Sequence, residues 1–245
     1  MNLDIMRKNT PKDHMINEII AIEWEMFQHV SGLNGRAPCQ DDVKTFYIMR
    51  YSQHAAFKVT TLFSYQNDLI DAKNTGRNLI AEKYGYMMEY TDNEIYKRDI
   101  APKLPEVSYM KTDIIKKIIN IMDADQKSVE QRYPAISRYA RPKSDSKEGT
   151  SARVYNIGEL KTYSFNTLKK IYEDLKEAHE KGENIVETIY MNTMEFYGFG
   201  SLRAAEDRYL RWVVEACARA EALLDRILPS WGGFFRTYSD RKSVV

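Results

Sequence analysis

An all-α fold is what this sequence predicts, on three observations. Apolar residues recur at spacings of three and four, the interval that gathers them on one face of a helix, in segment after segment. Helix-start chemistry precedes the first of these runs. No stretch alternates apolar and polar residues around a tight-turn dipeptide, so nothing signals a paired strand. Internal repeats and low-complexity tracts are absent as well, which leaves a single all-α domain over residues 1–245, a bundle of about seven helices.

The elements follow in order. Thr10 is placed as an N-cap, with Pro11 in the first helical position and Asp13 in the acidic first turn, and the apolar period then runs to Val30. "SGLNGRAPC" is rich in turn formers, and a second helix is expected from about Cys39 to about Thr60. Residues 63–91 are helical in period, with Gly76 and Gly85 as breaks or close-packing points. Two prolines in "DNEIYKRDIAPKLPEVS" predict a loop, and "YMKTDIIKKIINIMDADQKSVEQRY" predicts an amphipathic helix. The polar and basic stretch "PAISRYARPKSDSKEGTSARVYN" is expected to be irregular. Helices are then expected over 157–181, 184–198 and 201–228, before a tail, "PSWGGFFRTYSDRKSVV", read as packed coil.

Composition narrows the function classes. The 245 residues are 43% hydrophobic and 29% charged, enough to bury a core, and 36 Lys and Arg nearly cancel 35 Asp and Glu. A formal net charge of +1 gives no reason to expect nucleic acid as a partner. No apolar run approaches the roughly 18 residues of a membrane span, and the N-terminus lacks a signal peptide's apolar core, so no membrane association and a cytoplasmic location are expected. Cys39 and Cys217, the only cysteines, form no CxxC and fit a reducing compartment. Homo-oligomerisation stays open.

Polar residues that fall inside an apolar arc are the functional signal. At about 100° per residue, Glu23 lies near the middle of the arc formed by Ile16, Ile19, Ile20, Ile22, Trp24, Met26, Phe27 and Val30, while Glu18, Glu25 and His29 project away. An ionised carboxylate in a core costs several kcal/mol unless it is paired, so Glu23 needs a partner. On the second helix, Asp42, Thr45, Ser52 and Gln53 sit within the arc of Phe46, Ile48, Met49, Ala55 and Phe57, with Arg50 at its edge and Lys44, Tyr47, Tyr51 and Lys58 opposite. Lys73, Arg77 and Lys83 fall close to the line of Leu69, Ile80 and Met87. A shared polar pocket inside the bundle satisfies these groups together.

Other residues carry paired readings. Asp41 caps the second helix or complements its dipole, which leaves Asp42 as the stronger site candidate. Arg36, on the turn before that helix, fixes an anion or pins the loop to a carboxylate. Cys39 stands at a helix start, where a thiol becomes a nucleophile, although no histidine is fixed beside it. Glu23 and Arg50 could equally form a structural ion pair. Tyr155, Tyr163 and Tyr172 follow the spacing of Leu160, Leu168 and Ile171 and are read as core. His14, His29, His54 and His179 form no zinc motif, and dinucleotide, P-loop and serine-elbow motifs are missing. Asp68 and Asp71 in "DLIDA" resemble half of a magnesium-binding pair, but Asp71 falls on the polar side.

Four segments together, "IIAIEWEMFQHV", "NGRAPCQDDVKTFYIMRYSQ", "GRNLIAEKYGYMMEYT" and "TSARVYNIGELKTYSFNTL", resemble the bacterial family called domain of unknown function 4125. The similarity covers roughly residues 16–200, and the RAxCQDD run followed by FxIMRxSQ carries it. The resemblance implies that Glu23, Arg36, Cys39, Gln40, Asp41, Asp42, Arg50, Gln53, Arg77, Lys83 and Glu159 occupy the family's motif positions. It brings no reaction with it, and the helix and tail at 201–245 are less characteristic.

The expected activity is therefore cofactor-independent acid–base chemistry on a small anionic metabolite, an elimination, deamination or hydrolysis of lyase or hydrolase type. Glu23, Asp42 and Lys83 would transfer protons; Arg36, Arg50, Gln53, Arg77 and Arg153 would bind the substrate. One alternative is magnesium-dependent phosphoryl or nucleotide hydrolysis with Glu23, Asp41, Asp42 and Asp68 as oxygen ligands. The other is a non-catalytic helical binding or scaffold protein whose polar cluster selects the fold.

Overall fold

A computed structural model describes residues 10–31, 35–138 and 150–227, apart from the side chains of residue 221 and residues 224–227. The tail read as coil and residues 139–149 of the basic stretch lie outside the described residues. Everything described is helical or connecting, with no strand among the described residues, and the α-helices number eleven rather than about seven.

Helix α1, Pro11–Gln28, begins as its sequence dictates: the Thr10 side chain accepts from the Asp13 amide while the Asp13 carboxylate accepts from the Thr10 amide. A 3-10 turn at Pro38–Gln40 precedes α2, Val43–Ala55, which is shorter than expected at both ends. The chain then bends at residues 56–58 and restarts as α3, Val59–Asn74, with no glycine or proline to announce the break. Asp174 supplies the missing cap from far along the chain, accepting from the Lys58 amide at 3.0 Å and from Thr61 Oγ1 at 2.8 Å. Gly76, in the left-handed region at φ 70°, turns the chain into α4, Leu79–Thr91, which runs through Gly85.

The segment expected to be a loop is mostly helical: α5 at Asn93–Ile95, a π turn at Tyr96–Ile100 and a 3-10 turn at Ala101–Lys103. Asp92 caps its start, and Pro102 sits in a first turn, where its missing N–H costs nothing. Helix α6, Tyr109–Arg132, matches its expected span, and α7, Pro134–Ser137, orders the start of the stretch expected to be irregular. The single helix expected at 157–181 is two, α8 at Ala152–Thr162 and α9 at Phe165–Glu180, divided where Ser164 caps the second through the Thr167 amide. Helices α10, Ile185–Phe196, and α11, Leu202–Ile227, complete the order.

Three packing relations position the site. Helix α1 lies against α2, α3 and α4, so its buried face is covered from several directions. Helix α8 lies close on α4, because Gly158 has no side chain: a Cβ there would stand 2.6 Å from Met87 Cγ and 2.9 Å from the Lys83 carbonyl oxygen. Helix α2 is sandwiched between α1 and α10. That sandwich corrects the expected wheel: Tyr47 and Tyr51, placed outside the arc, are buried and pack edge-on against Phe196 of α10, while Met49, placed inside it, is exposed. Asp42 and Thr45, also placed inside the arc, are exposed at the helix start.

Candidate functional site

Glu23 is fully buried, as its position in the α1 arc implied, and three side chains from α2 and α3 converge on it. Arg50 Nε donates to Oε2 at 2.9 Å and Arg50 Nη2 donates to Oε1. Tyr65 OH donates to Oε1 at 2.7 Å, and His54 Nε2 lies 3.2 Å from both oxygens. Arg50 and His54 reach the same carboxylate because residues four apart share a helix face. Burial by itself would push the Glu23 carboxyl up, but the Arg50 charge and the His54 ring hold it well below the usual carboxylate range.

Arg50 bridges this cluster to a second acid. Its Nη1 donates to Glu159 Oε1 and Oε2 at 3.0 and 3.1 Å and to Gln53 Oε1 at 2.7 Å. Gln53 Nε2 and Tyr163 OH close the ring on Glu159 Oε1 at 3.1 and 2.6 Å. Lys83, buried on α4, sits 3.6 Å from Glu159 Oε2 and donates to Tyr155 OH at 2.7 Å, with its ammonium 4.2 Å from the centre of the Tyr155 ring. Against the upward pull of burial, Arg50 and Lys83 bring the Glu159 carboxyl down to about 2. Tyr65 and Tyr163 are pushed well above the ordinary phenol value by burial and by the carboxylates they serve, so both stay protonated donors. Two buried acids and two buried bases thus balance.

One ring nitrogen stands apart from that balance. An ionised carboxylate can only accept hydrogen bonds, so His54 Nε2 must carry the proton shared with Glu23. His54 is buried, yet its Nδ1 has no hydrogen-bond partner among the described residues. The ring lines a cavity of about 40 Å3, whose other polar lining residues are Gln53, Thr61, Tyr65, Asn156, Glu159, Tyr163 and Thr167. Phe57, Leu62, Met122, Leu160 and Ile171 supply its apolar lining. Such a volume holds about three water-sized groups.

The remaining sequence candidates lie elsewhere, each with a partner of its own. Asp42, rather than Asp41, is the N-cap of α2 and accepts from the Thr45 amide at 3.0 Å. Asp41 is exposed and paired with Arg36 at 2.7 Å. Arg36 also donates to Gln28 Oε1 and to the Gln40 carbonyl, at 2.6 and 3.0 Å. Gln40 is the buried member of this corner: its Nε2 donates to the carbonyls of Phe27 and Val30, which end α1, and its Oε1 accepts from the Ala37 amide. Cys39 is exposed on the outside of the same turn.

Arg77 is bound to Glu82 at 2.7 Å, Arg153 to Asp123, and Asp68 accepts from the Ser164 amide at 2.9 Å. Of Glu23, Asp41, Asp42 and Asp68, only Glu23 enters the buried network, and no group of three His, Cys, Asp or Glu among the described residues is placed to hold a metal ion. His54, Tyr65 and Asn156 are site residues beyond those expected from the sequence, and Tyr163, expected as core, is buried and also serves Glu159. His54 had a local signal, four residues after Arg50; Tyr65 and Asn156 had none.

These features define an all-helical protein with a neutralised ionic network beside a small, partly open cavity. Residues 13–207 match the family described as Protein of unknown function (DUF4125), and the chain belongs to that family. No curated protein and no solved structure matches the chain.

Proposed function

We propose that this chain is a small cytoplasmic enzyme, a single helical bundle whose cavity hosts acid–base chemistry without a metal or an organic cofactor. His54 is the proton-transferring group and Glu23 its orienting carboxylate. The observation that carries this reading is the pairing of His54 Nε2 with Glu23 while Nδ1 is left without a partner on a ring that lines the cavity. A carboxylate behind one ring nitrogen fixes the tautomer and stabilises the imidazolium that forms when the other nitrogen takes a proton. Glu23 and Glu159 are too strongly held as anions to be bases themselves, so the proton-transfer role expected of Glu23 moves to its neighbour. Hydrolysis, elimination and deamination of a small metabolite all require such a base.

The test is a panel of small hydrolysis, elimination and deamination substrates presented to the wild type, His54→Asn and Glu23→Gln. Any turnover found in the wild type should fall by about 10²–10⁴ in His54→Asn, with the melting temperature of that variant nearly unchanged. Undiminished turnover in His54→Asn would reject the assignment.

A purely structural role has one observation in its favour: the Arg50 guanidinium is already fully engaged by Glu23, Glu159 and Gln53. That reading gives no use to the cavity that the His54 ring lines.

A further inference from the structure

The cavity also carries information about the charge of what it takes, given the acid–base reading above. Among its ionic neighbours Glu159 lines it directly and is in contact with Arg50 and Lys83, Arg50 is in contact with Glu23, and Asp174, behind the lining Thr61, is paired with Lys58, so each acid has a base beside it. Of the cations read from the sequence as anion binders, Arg50 is held by Glu23 and Glu159, and the other three are occupied elsewhere, Arg36 by Asp41, Arg77 by Glu82 and Arg153 by Asp123. A ligand with a net charge would enter a balanced low-dielectric site with nothing to neutralise it, a cost of several kcal/mol by the general penalty for buried charge.

Two polar groups on the lining remain unused. One is His54 Nδ1, a lone pair once Nε2 is protonated; the other is the side-chain amide of Asn156, which has no hydrogen-bond partner among the described residues. Between them they offer an acceptor, and a donor–acceptor pair that can match a carbonyl or an amide. Thr61 Oγ1 already donates to Asp174, and Thr167 Oγ1 lies within hydrogen-bonding distance of Ser64 and Ser164. Phe57, Leu62, Met122, Leu160 and Ile171 add hydrocarbon to the lining.

We infer that the cavity binds a small uncharged carbonyl or amide compound, with the Asn156 amide on its polar end, His54 Nδ1 beside its reacting group and its apolar end against Phe57, Leu62 and Ile171. This narrows the proposed function to a substrate class and departs from the anionic metabolite expected from the arginines of the sequence.

Acetamide and acetate test it, because they share shape and size and differ in charge. The full chain is titrated with each up to about 100 mM, while the imidazole nitrogen signals of His54 are followed by NMR. Acetamide should shift those signals saturably in the wild type and acetate should not. Asn156→Leu should weaken acetamide by about tenfold, the worth of one net hydrogen bond. Acetate binding as well as acetamide, or no saturable response to either, overturns the inference. The wild-type comparison decides even if Asn156→Leu fails to fold. The two readings also fail separately: acetate in the cavity together with loss of turnover in His54→Asn would discard the uncharged substrate and keep the histidine.

Discussion

Two polar regions of this molecule draw on the same stretch, residues 36–54, and they do opposite things. In the corner formed by Arg36, Gln40, Asp41 and Asp42, charge lies outside and the single buried group, Gln40, is spent on closing α1 and the turn that follows it. More than two helical turns further on, Arg50 and His54 point into the bundle and meet Glu23, Tyr65 and Glu159. The motif-like density of RAPCQDD is thus architecture, and the less conspicuous RYSQH carries the candidate chemistry. A helix start needs side chains to satisfy its open amides, so acids there have a bland use; an acid or base in mid-helix on a buried face has none until a partner is found.

The sharpest way to break the comparison is to remove Arg50. Arg50→Met leaves Glu23 and Glu159 facing each other with only Lys83 to offset them, and the expected loss is about 3–5 kcal/mol in chemical denaturation. A loss below about 1 kcal/mol would mean that the network is no more demanding than a surface pair.

Acid should separate the regions next. The Glu159 carboxyl is depressed in the folded state, from an ordinary 4.5 to about 2. A depressed acid contributes stability that is fully present above its unfolded value and is lost as pH falls through the folded one, so this contribution should disappear between pH 4.5 and about pH 2. Glu23 is depressed too and acts in the same direction. Urea unfolding of the wild type and of Glu159→Gln across that window should show the two stabilities converging as pH drops. A constant difference would contradict the ionised assignment.

Within the corner, smaller effects are expected, in a definite order. Gln40→Ala removes a buried donor from the carbonyls of Phe27 and Val30 and should cost about 1–3 kcal/mol. Asp42→Ala removes an N-cap and should cost about 0.5–2 kcal/mol. Arg36→Ala, which breaks an exposed pair, should cost about 1 kcal/mol or less. If Arg36→Ala proved the most damaging of the three, the corner would hold more than the end of a helix.

The sequence made part of this legible. The helical class, the cap of α1 and the burial of Glu23, Arg50 and Lys83 all follow from periodicity and position on a face. Asp42 misled because a wheel drawn through a helix start treats a capping residue as if it belonged to the arc. Tyr47 and Tyr51 misled because α10 covers the second side of α2, a fact about partners that lies more than 100 residues away. The break before α3 was hidden for the same reason, since Asp174 on α9 caps it. Ser164 was a readable stop between α8 and α9, overlooked because the apolar period continues across it. Glu159 entered only through the family resemblance; its meeting with Arg50 joins positions 109 residues apart and depends on the close approach that Gly158 allows.

The central claim is that Glu23 holds a proton on His54 Nε2 and leaves Nδ1 bare toward the cavity. Imidazole nitrogen NMR of the 15N-labelled chain at neutral to mildly alkaline pH reads this directly, with His54→Asn assigning the signal. The expected result is a proton on Nε2 with Nδ1 unprotonated, and a mixture of tautomers once Glu23→Gln removes the carboxylate. A proton found on Nδ1 in the wild type, or a tautomer unchanged by Glu23→Gln, would contradict it.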